Sequence, residues 1–420
     1  MKSKEYIFVI PSICNIGGAQ LYLVEKIRYL KEKGWSVDVI YARKDIILVK
    51  ELETFENNCY PFLDYSTMYF RKGFVKKMVK EIAKRYKINK GNTVIIESCT
   101  VSISTWCELI AQELGCKHIN FAFEELFEMS KSQLEFAYFK HCRHELAGIR
   151  KESVPLMFKG SDYDIKNPEY YLAYGASSID KVPDDRTELL KKYDVVIGSF
   201  GRLNKGFVWE AMKEIHKYMA AHSGRRYALL LIGDTKDVGF KNNIYKLFDN
   251  IADVIITGEV FPASLDMVKE VDAFVSSSGA AASTAILGIP TIAISPETFL
   301  PNGILNYTTQ YNIMAPSPSE KSTSELLEDI IDNHYCETHP NLGMYDRYFE
   351  LKHNQVWLEF DRQMTIAMDE THPQSYYDVF QIQLEGKRKY ASYISKIFGF
   401  KAFAKVIALA QKYYGTLIRG

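Results

Sequence analysis

The sequence offers little that would support redox, metal or nucleic-acid chemistry. The seven cysteines stand at positions 14, 59, 99, 107, 116, 142 and 336. None of them forms a CxxC pair, and no histidine lies at the spacing of a metal ligand from any of them. We therefore expect free thiols, with neither a zinc site nor a disulfide framework. Lys+Arg 52 and Asp+Glu 52 balance to a net charge of zero, so no overall positive field would attract nucleic acid.

Long apolar runs are also missing. No segment reaches the roughly 18 apolar residues that a membrane-spanning helix needs. The first apolar run, YIFVI at 6–10, ends before Pro11 and is too short for the core of a signal peptide, so it predicts a β-strand. The sequence alone therefore favours a cytoplasmic protein, with any membrane contact peripheral, at the inner face of the cell membrane.

The composition itself predicts a globular chain of two domains. The 420 residues are 47% hydrophobic and 13% aromatic, which suits large packed cores. Buried β-branched runs alternate with helical spacing, which indicates an α/β fold with parallel sheets. The predicted strands cover 6–10, 37–42, 93–98 and 118–123, and after a restart of the pattern 195–203, 227–233, 253–258, 272–276 and 290–295.

In each half of the sequence, one glycine-containing loop follows the first strand. NIGGAQ (15–20) carries Gly17 and Gly18, which let the backbone approach an anionic ligand at a helix N-terminus, or else serve a tight turn. It is not GxGxxG, so the dinucleotide fingerprint is not met. FGRLNKG (200–206) carries Gly201, Arg202 and Lys205. The guanidinium of an arginine can donate two parallel hydrogen bonds and the ammonium of a lysine is a compact charge, a combination that suits a diphosphate. The alternative is a pair of surface cations on a βα loop.

Three further loops end strands of the second half. LLIGD brings Gly233 to a strand end, and ITGEV brings Gly258, Glu259 and Val260, whose backbone groups suit the edge of a nucleobase; both loops also fit plain turns. The segment 276–284 holds small residues before a helix predicted to begin near Ala281. There, Ser278 and Gly279 are candidates for contact with a phosphate or sugar. A serine N-cap with close helix packing is the alternative.

Together these loops resemble those of the GT-B glycosyltransferases, above all retaining family 4. The resembling motifs are Gly17–Gln20, Gly201–Leu203 with Lys205–Gly206, Gly258–Val260 and the stretch from Asp272 to Pro290, within residues 6–335. The resemblance implies two Rossmann-like, doubly wound domains facing a cleft, and a nucleotide-diphosphate sugar as co-substrate with no other cofactor. It also implies that Arg202 and Lys205 stabilise the leaving diphosphate without a metal, and the sequence has no Asp-x-Asp motif in a suitable loop.

The resemblance and, for the C-terminus, the pattern of charge divide the chain into four parts. Residues 1–178 would form the N-terminal, acceptor domain and residues 179–340 the C-terminal, nucleotide-sugar donor domain. Residues 341–370 would contain the helix that crosses back to the first domain. Residues 371–420 would form a basic, helical extension.

Two departures from the family pattern concern acidic residues. The family's Glu-x7-Glu pair around the donor helix is missing: the second position falls at Ser283, and the nearby carboxylate that could serve instead is Glu297, beyond the next strand. Ser283 or Thr284 would take over a hydrogen bond to ribose. In the first half, where many relatives have a histidine, the strand 118–123 ends in Glu124-Glu125. Glu124 would act as a base toward an acceptor hydroxyl, or these residues simply open the next helix.

The histidines of the first half are weaker candidates. His118 begins its strand, at the end opposite the expected ligand site, and we interpret it as structural. His141 and His144 fall on a predicted helix and carry no motif.

The C-terminal segment has charge of one sign. No acidic side chain follows Glu385, whereas lysines and arginines recur through residues 386–420. Lys401 and Lys405 fall on one helical face, with Phe403 and Val406 on the other. This pattern predicts binding to an anionic membrane surface or a partner protein; the alternative is a helix packed on the domain with a solvated lysine face.

The leading hypothesis is a glycosyltransferase, of the hexosyltransferase type, that moves a sugar to a lipid-linked or cell-surface polysaccharide acceptor. A second hypothesis is a catalytically silent GT-B subunit that binds a partner transferase or acceptor, which the missing glutamates motivate. A third is a nucleotide-sugar epimerase, which shares the fold but would need carboxylates and a histidine at the site.

Overall fold

The computed structural model describes residues 4–14, 16–86, 92–123, 129–148, 153–170, 178–313, 315–399 and 403–405, with the backbone alone for 344–355. The chain divides into two compact units. Unit 1 comprises Met1–Gly175 and Val356–Gly420, and unit 2 comprises Ala176–Gln355. Each unit is built around its own parallel sheet.

Unit 1 contains a six-stranded sheet in the order β2-β1-β3-β4-β5-β6, with every neighbouring pair parallel. Its strands are β1 Lys4–Ile10, β2 Ser36–Tyr41, β3 Thr93–Ser98, β4 Lys117–Ala122, β5 Leu146–Gly148 and β6 Glu169–Tyr170. Its first helices are α1 Gly18–Glu32, α2 Lys72–Ala83, α3 Val101–Leu114, α4 Lys131–Cys142 and α5 Ser153–Met157.

Helices cover both faces of this sheet because alternate side chains of its strands point to opposite sides. Ile7 and Val9 pack with α2 and α3, around the fully buried Trp106. On the other face, Lys26 of α1 lies over the rings of Tyr6 and Phe8. The continuous apolar run of β1 is therefore explained by burial on both sides.

Unit 2 contains a six-stranded sheet in the order β10-β9-β8-β12-β13-β14, parallel except for β14 at the edge. Its strands are β7 Ile179–Asp180, β8 Val195–Phe200, β9 Tyr227–Ile232, β10 Ala252–Ile256, β11 Ala263–Ser264, β12 Ala273–Ser276, β13 Thr291–Ile294 and β14 Pro301–Ile304, with β7 and β11 forming a separate pair. Its helices are α6 Arg186–Leu190, α7 Gly206–Ala221, α8 Val238–Leu247, α9 Leu265–Lys269, α10 Ser278–Ala285, α11 Thr323–Ile331 and α12 Tyr335–Thr338.

The strand order of unit 2 reverses at β8, which has β9 on one side and β12 on the other. Val195 and Ile197 of β8 pack with α7, α8 and α11, while Val196 packs with α6 and α9 on the opposite face. Ligands of doubly wound sheets bind at the carboxyl ends of the strands where the order reverses. The predicted α/β architecture with two Rossmann-like units is thus confirmed, and it directs attention to the loops after β8 and β12.

The chain passes from unit 2 into unit 1 within one long helix, α13 Met344–Met368. Within the ranges that the structure describes, no helix is both long enough and apolar enough to cross a membrane.

The C-terminal segment packs on unit 1 before its last described helix, α14 Gly386–Phe398. Val379, Ile382 and Leu384 belong to the core of that unit. Phe403 is also buried, with its ring stacked on Tyr69 at 5.3 Å. At Phe403 the structure agrees with the alternative of a segment packed on the domain, because this side chain fills a place in the core. Val406 and the residues that follow lie outside the described part.

Candidate functional site

Three glycines bring together the loops that follow β8, β9 and β10. Gly233 has φ +142°, and a Cβ on it would lie 2.0 Å from the carbonyl oxygen of Gly201. Gly201 itself has φ +124° and donates its amide to the Ile232 carbonyl at 2.9 Å. Gly233 also forms an antiparallel bridge with Gly258. A side chain is excluded by contact at Gly233, whereas at Gly201 and Gly258 it is the positive φ that favours glycine.

The loop after β8 is anchored in its middle by Leu203, and the side chain of Arg202 is exposed. Leu203 is 1% exposed, and its amide donates to the Asp234 carbonyl at 3.1 Å. Arg202 is exposed, and no hydrogen bond or ion pair joins it to another residue in the described ranges. The Lys205 ammonium lies 5.8 Å from the centre of the Phe207 ring. The guanidinium of Arg202 is therefore available to an anionic ligand.

Helix α10 begins at Ser278, three residues before the predicted start. The residue before it, Ser277, occupies the N-cap position but makes no capping hydrogen bond with its side chain. In contrast, α8, α9 and α11 of the same unit are capped by Asp237, Ser264 and Ser322. Ser277 thus forms no serine cap at α10, and among the described residues no side chain accepts from the first amides of this helix.

The first residue of α10 adopts an uncommon backbone conformation. Ser278 has φ +59°, a left-handed value that few residues other than glycine adopt. Asn312 maintains it: the Ser278 amide donates to the Asn312 carbonyl at 2.7 Å, and the Asn312 side-chain amide donates back to the Ser278 carbonyl at 2.9 Å. Left-handed residues held in this way concentrate at ligand sites. Sequence reasoning missed Asn312, which lies beyond the motif.

The loop after β8 lies beside the first turn of α10. A Cβ on Gly201 would be 3.8 Å from the Cβ of Ala280. One residue earlier, Phe200 donates its amide to Ser276 Oγ at 2.9 Å, which joins the ends of β8 and β12. The structure therefore brings together Gly201, Gly233, Ser278 and the neighbouring Gly279, four residues that the sequence had indicated separately.

The two hydroxyl groups proposed in place of a glutamate are not equivalent. Ser283 is partly exposed; its Oγ donates to the Gly279 carbonyl at 2.8 Å and lies 3.5 Å from Ser178 Oγ. Thr284 is fully buried and bonds to Thr291 Oγ1 at 2.9 Å. Thr284 is thus inaccessible to a ligand in this structure, because its side chain ties α10 to β13.

The acidic candidates lie on surface loops. Glu259 is exposed, whereas the adjacent Val260 packs against an apolar cluster of unit 2. Glu297 is exposed in the loop after β13. This loop reaches the first turn of α7, since a Cβ on Gly206 would lie 2.7 Å from the Phe299 ring. The loop of Glu297 therefore borders the end of the FGRLNKG segment, residues 200–206.

An ion pair that the sequence did not indicate supports the loop after β10. Arg186 donates to both carboxylate oxygens of Asp184, at 2.7 and 2.6 Å, and to the Thr257 carbonyl at 3.0 Å. The hydrogen bonds from Arg186 lower the pKa of Asp184, although partial burial opposes them. The pair thus holds the backbone that leads into Gly258, in a segment whose sequence is typical of a surface turn.

An open recess of about 360 Å³ lies on the α7 side of the loop after β8. Asn204, Lys205 and Trp209 line it from one side, and Thr235 and Phe240 from the other. A larger recess of about 410 Å³ lies in unit 1, at residues such as Thr93 and Lys117 that begin strands. That is the amino edge of the sheet, opposite the edge where ligands of this architecture bind.

In unit 1, Gly17 precedes α1 in an extended conformation, with no side-chain cap, and Gly18 begins the helix. Gln20 donates from its side chain to the Ser12 carbonyl at 2.6 Å, which fixes this turn. Glu124 and Glu125 lie outside the described residues.

The histidine interpreted as structural, His118, is confirmed as such. It lies between Glu108 Oε2, at 2.9 Å, and Ser98 Oγ, at 2.8 Å. Although this order matches a Ser-His-Glu triad, all three side chains are buried, so no substrate reaches the hydroxyl. Burial, together with the charge of Lys140, lowers the pKa of His118 to about 4.

The other two histidines also lie in structural surroundings. His141 is buried near Phe158, and His144 is exposed and lies 3.2 Å from a Glu169 oxygen. Among the residues that the structure describes, no group of three or more histidine, cysteine or acidic side chains could hold a metal ion.

Comparison with known proteins supports the fold and no closer relationship. No family model and no curated protein matches the sequence. Among solved structures, a glycosyltransferase from Rickettsia africae ESF-5 superimposes with a TM-score of 0.56 at 15% identity, covering 86% of this chain and 99% of that chain. HepE of Anabaena in complex with UDP superimposes with a TM-score of 0.56 at 13% identity, covering 87% of this chain and 98% of that chain. The same protein with UDP and glucose superimposes with a TM-score of 0.52 at 12% identity, covering 86% of this chain and 98% of that chain. These likenesses establish the GT-B fold.

Proposed function

We propose that this protein is a glycosyltransferase that uses a nucleotide-diphosphate sugar. The observation that carries the proposal lies in unit 2. The loop of Arg202, which has no partner among the described residues, lies beside the first turn of α10, which has no side-chain cap, across backbone kept bare by Gly201 and Gly233. Such a surface suits a diphosphate, which accepts hydrogen bonds from amides and from a guanidinium. The bound UDP of the HepE structures makes a UDP-sugar the first donor to test.

The proposed chemistry is transfer of a glycosyl group between two oxygens. The bond from the anomeric carbon to the diphosphate breaks, a bond to the acceptor oxygen forms, and the acceptor's proton passes to a base, for which Glu124 is the candidate. Negative charge grows on the leaving diphosphate. Arg202, Lys205 and the amides of α10 would stabilise that charge, the role that a metal ion has in other transferases, so we propose that no metal is needed.

The donor site would rely on backbone and hydroxyl groups where family 4 uses carboxylates. Ser283, a half-exposed hydroxyl on α10, is proposed to bind ribose. Gly258 and Glu259 are proposed to contact the base. Their loop is held by the pair of Asp184 and Arg186. Glu297, the exposed carboxylate in the loop after β13, is proposed to bind the sugar hydroxyls.

The acceptor is proposed to be a lipid-linked or cell-surface glycan. A catalytically silent subunit that retains nucleotide binding is the second candidate, because helix α10 carries no carboxylate. Binding and turnover must therefore be measured separately.

A panel of UDP-, GDP- and dTDP-sugars tests the proposal by thermal shift, calorimetry and slow donor hydrolysis in the presence of EDTA. We expect one nucleotide to bind, and Arg202→Ala to weaken its affinity about 10- to 100-fold, as loss of a charge-assisted contact predicts. Arg226→Ala is the matched control, since this exposed arginine precedes β9 at the opposite edge of the same sheet.

Four results would decide against the transferase. Absence of binding by every nucleotide, or equal effects of Arg202→Ala and Arg226→Ala, contradicts the proposed donor site. Binding without hydrolysis or transfer to membrane extracts favours the silent subunit. Appearance of an epimeric nucleotide sugar would identify an epimerase.

A further inference from the structure

Helix α14 has its small residues toward the protein and its large apolar residues toward solvent. Ser392 is 5% exposed and donates to the Met68 carbonyl at 2.7 Å. Ser395 is 3% exposed, and Ala391 packs against the core of unit 1. A surface helix of a globular protein normally buries its apolar stripe instead. The polarity of α14 is therefore reversed.

The outward face is a continuous apolar stripe. The exposed fractions are 72% for Tyr390, 52% for Tyr393, 41% for Ile394, 66% for Ile397 and 69% for Phe398. The first four stand at i, i+3, i+4 and i+7, the spacing of one helical face. An exposed apolar patch of this kind marks a surface that binds a partner or a membrane.

Positive charge accompanies the stripe within α14. Lys387 and Lys389 are exposed in its first turn, and Arg388 and Lys396 are half-buried. After Glu385 the sequence contains no acidic side chain. Long basic side chains beside an apolar stripe can reach the head groups of lipids while the stripe enters the bilayer surface.

A second basic helix adjoins α14. Arg71 Nε donates to the Lys396 carbonyl at 2.5 Å, so the first turn of α2 lies beside the last turns of α14. From there α2 carries exposed lysines at one-turn intervals along a single face, at positions 72, 76 and 80, and Lys84 at its C-cap continues the row. The basic surface therefore extends from α14 onto the body of unit 1.

We propose that α14, with the adjoining face of α2, binds the surface of an anionic lipid bilayer. The stripe from Tyr390 to Phe398 would lie at the boundary of head groups and acyl chains, and the lysines would contact anionic head groups. Charge complementarity selects this occupant, because the surrounding cations attract a negatively charged membrane surface. Tyrosine, apolar with a polar tip, is suited to this interface.

Co-sedimentation of the full chain with vesicles tests the proposal, without nucleotide, so that its outcome is independent of the proposed donor site. We expect binding to phosphatidylglycerol–phosphatidylcholine vesicles and not to pure phosphatidylcholine, weakened at least tenfold between about 0.1 M and about 1 M NaCl. Ile394→Ser with Ile397→Ser should lower the partition constant about tenfold or more. Ile46→Ser is the matched control, because Ile46 is 69% exposed in the same unit.

The charges are tested separately. Lys387→Glu with Lys389→Glu should weaken binding to anionic vesicles about tenfold, whereas Lys192→Glu, an exposed lysine of unit 2, should not. Unchanged circular dichroism and melting temperature would show that the variants fold.

Equal binding to both kinds of vesicle would overturn the proposal. So would equal effects of Ile46→Ser and of the double variant, Ile394→Ser with Ile397→Ser. So would a chain that ignores vesicles but self-associates through the stripe, with dissociation by the double serine variant in ultracentrifugation.

Discussion

Replacing Gly233 by alanine is expected to destabilise unit 2 and to displace the loop that carries Arg202. At φ +142° an L-residue costs about 1–3 kcal/mol. The new Cβ would also lie 2.0 Å from the Gly201 oxygen, whereas real Cβ contacts below 3.0 Å are essentially unknown, so one backbone must move by about 1 Å. Such overpacking costs about 1–3 kcal/mol more. We expect a loss of about 2–6 kcal/mol in the free energy of unfolding.

Gly258→Ala is the control that separates backbone strain from collision. Gly258 has φ +76°, but no atom lies within 4 Å of its added Cβ, so the expected cost is about 1–2 kcal/mol. Urea unfolding of both variants measures the difference. Because Gly201 directly precedes Arg202, a shift of about 1 Å should also lower turnover about 100-fold if the donor site is as proposed. A Gly233 variant no less stable than the Gly258 variant would refute the contact between the two loops.

The remaining predictions concern α10 and the buried charges of unit 1. Gly279→Ala should stabilise unit 2 by about 0.5–1 kcal/mol, because alanine favours a helix and no atom lies within 4 Å of the added Cβ. The same methyl group would cover bare backbone and should weaken the affinity for UDP, measured by calorimetry. Unchanged affinity would exclude a diphosphate at this position. Acid should destabilise the protein through His118, whose folded pKa of about 4 lies below the usual 6.5. The unfolded state takes up the proton first, so stability is full above about pH 6.5 and falls by about 3 kcal/mol toward pH 4. Unfolding titrations across that range should be flatter in His118→Gln, and a flat wild-type profile would contradict the burial argument.

The sheets were predictable from sequence because burial on both faces leaves a continuous apolar run. The predicted strands 93–98 and 227–233 correspond to Thr93–Ser98 and Tyr227–Ile232. The glycine loops were predictable for a related reason. A position such as Gly233, where a Cβ would meet backbone, admits only one residue type, so its place after a strand is visible in the sequence.

Contacts between distant segments were not predictable in this way. Asn312 holds Ser278 in its left-handed conformation from 34 positions away, and Arg186 reaches the Thr257 carbonyl across 71 positions. Neither residue belongs to a recognisable motif. Ser283 and Thr284 also looked equivalent as adjacent hydroxyls, but the helical turn directs only Ser283 outward and buries Thr284.

The sequence by itself determined the order of strands and helices, the glycine turns and the basic C-terminal segment, because each depends on local pattern. Tertiary structure decided which of those turns meet, which hydroxyl stays accessible and which apolar side chains fill the core. Phe403 and Ile397 illustrate the last point: both are large, apolar and near the C-terminus, yet one is 1% exposed and the other 66%. Only the packing of the segment against unit 1 distinguishes them, since burial depends on neighbours that are distant along the chain.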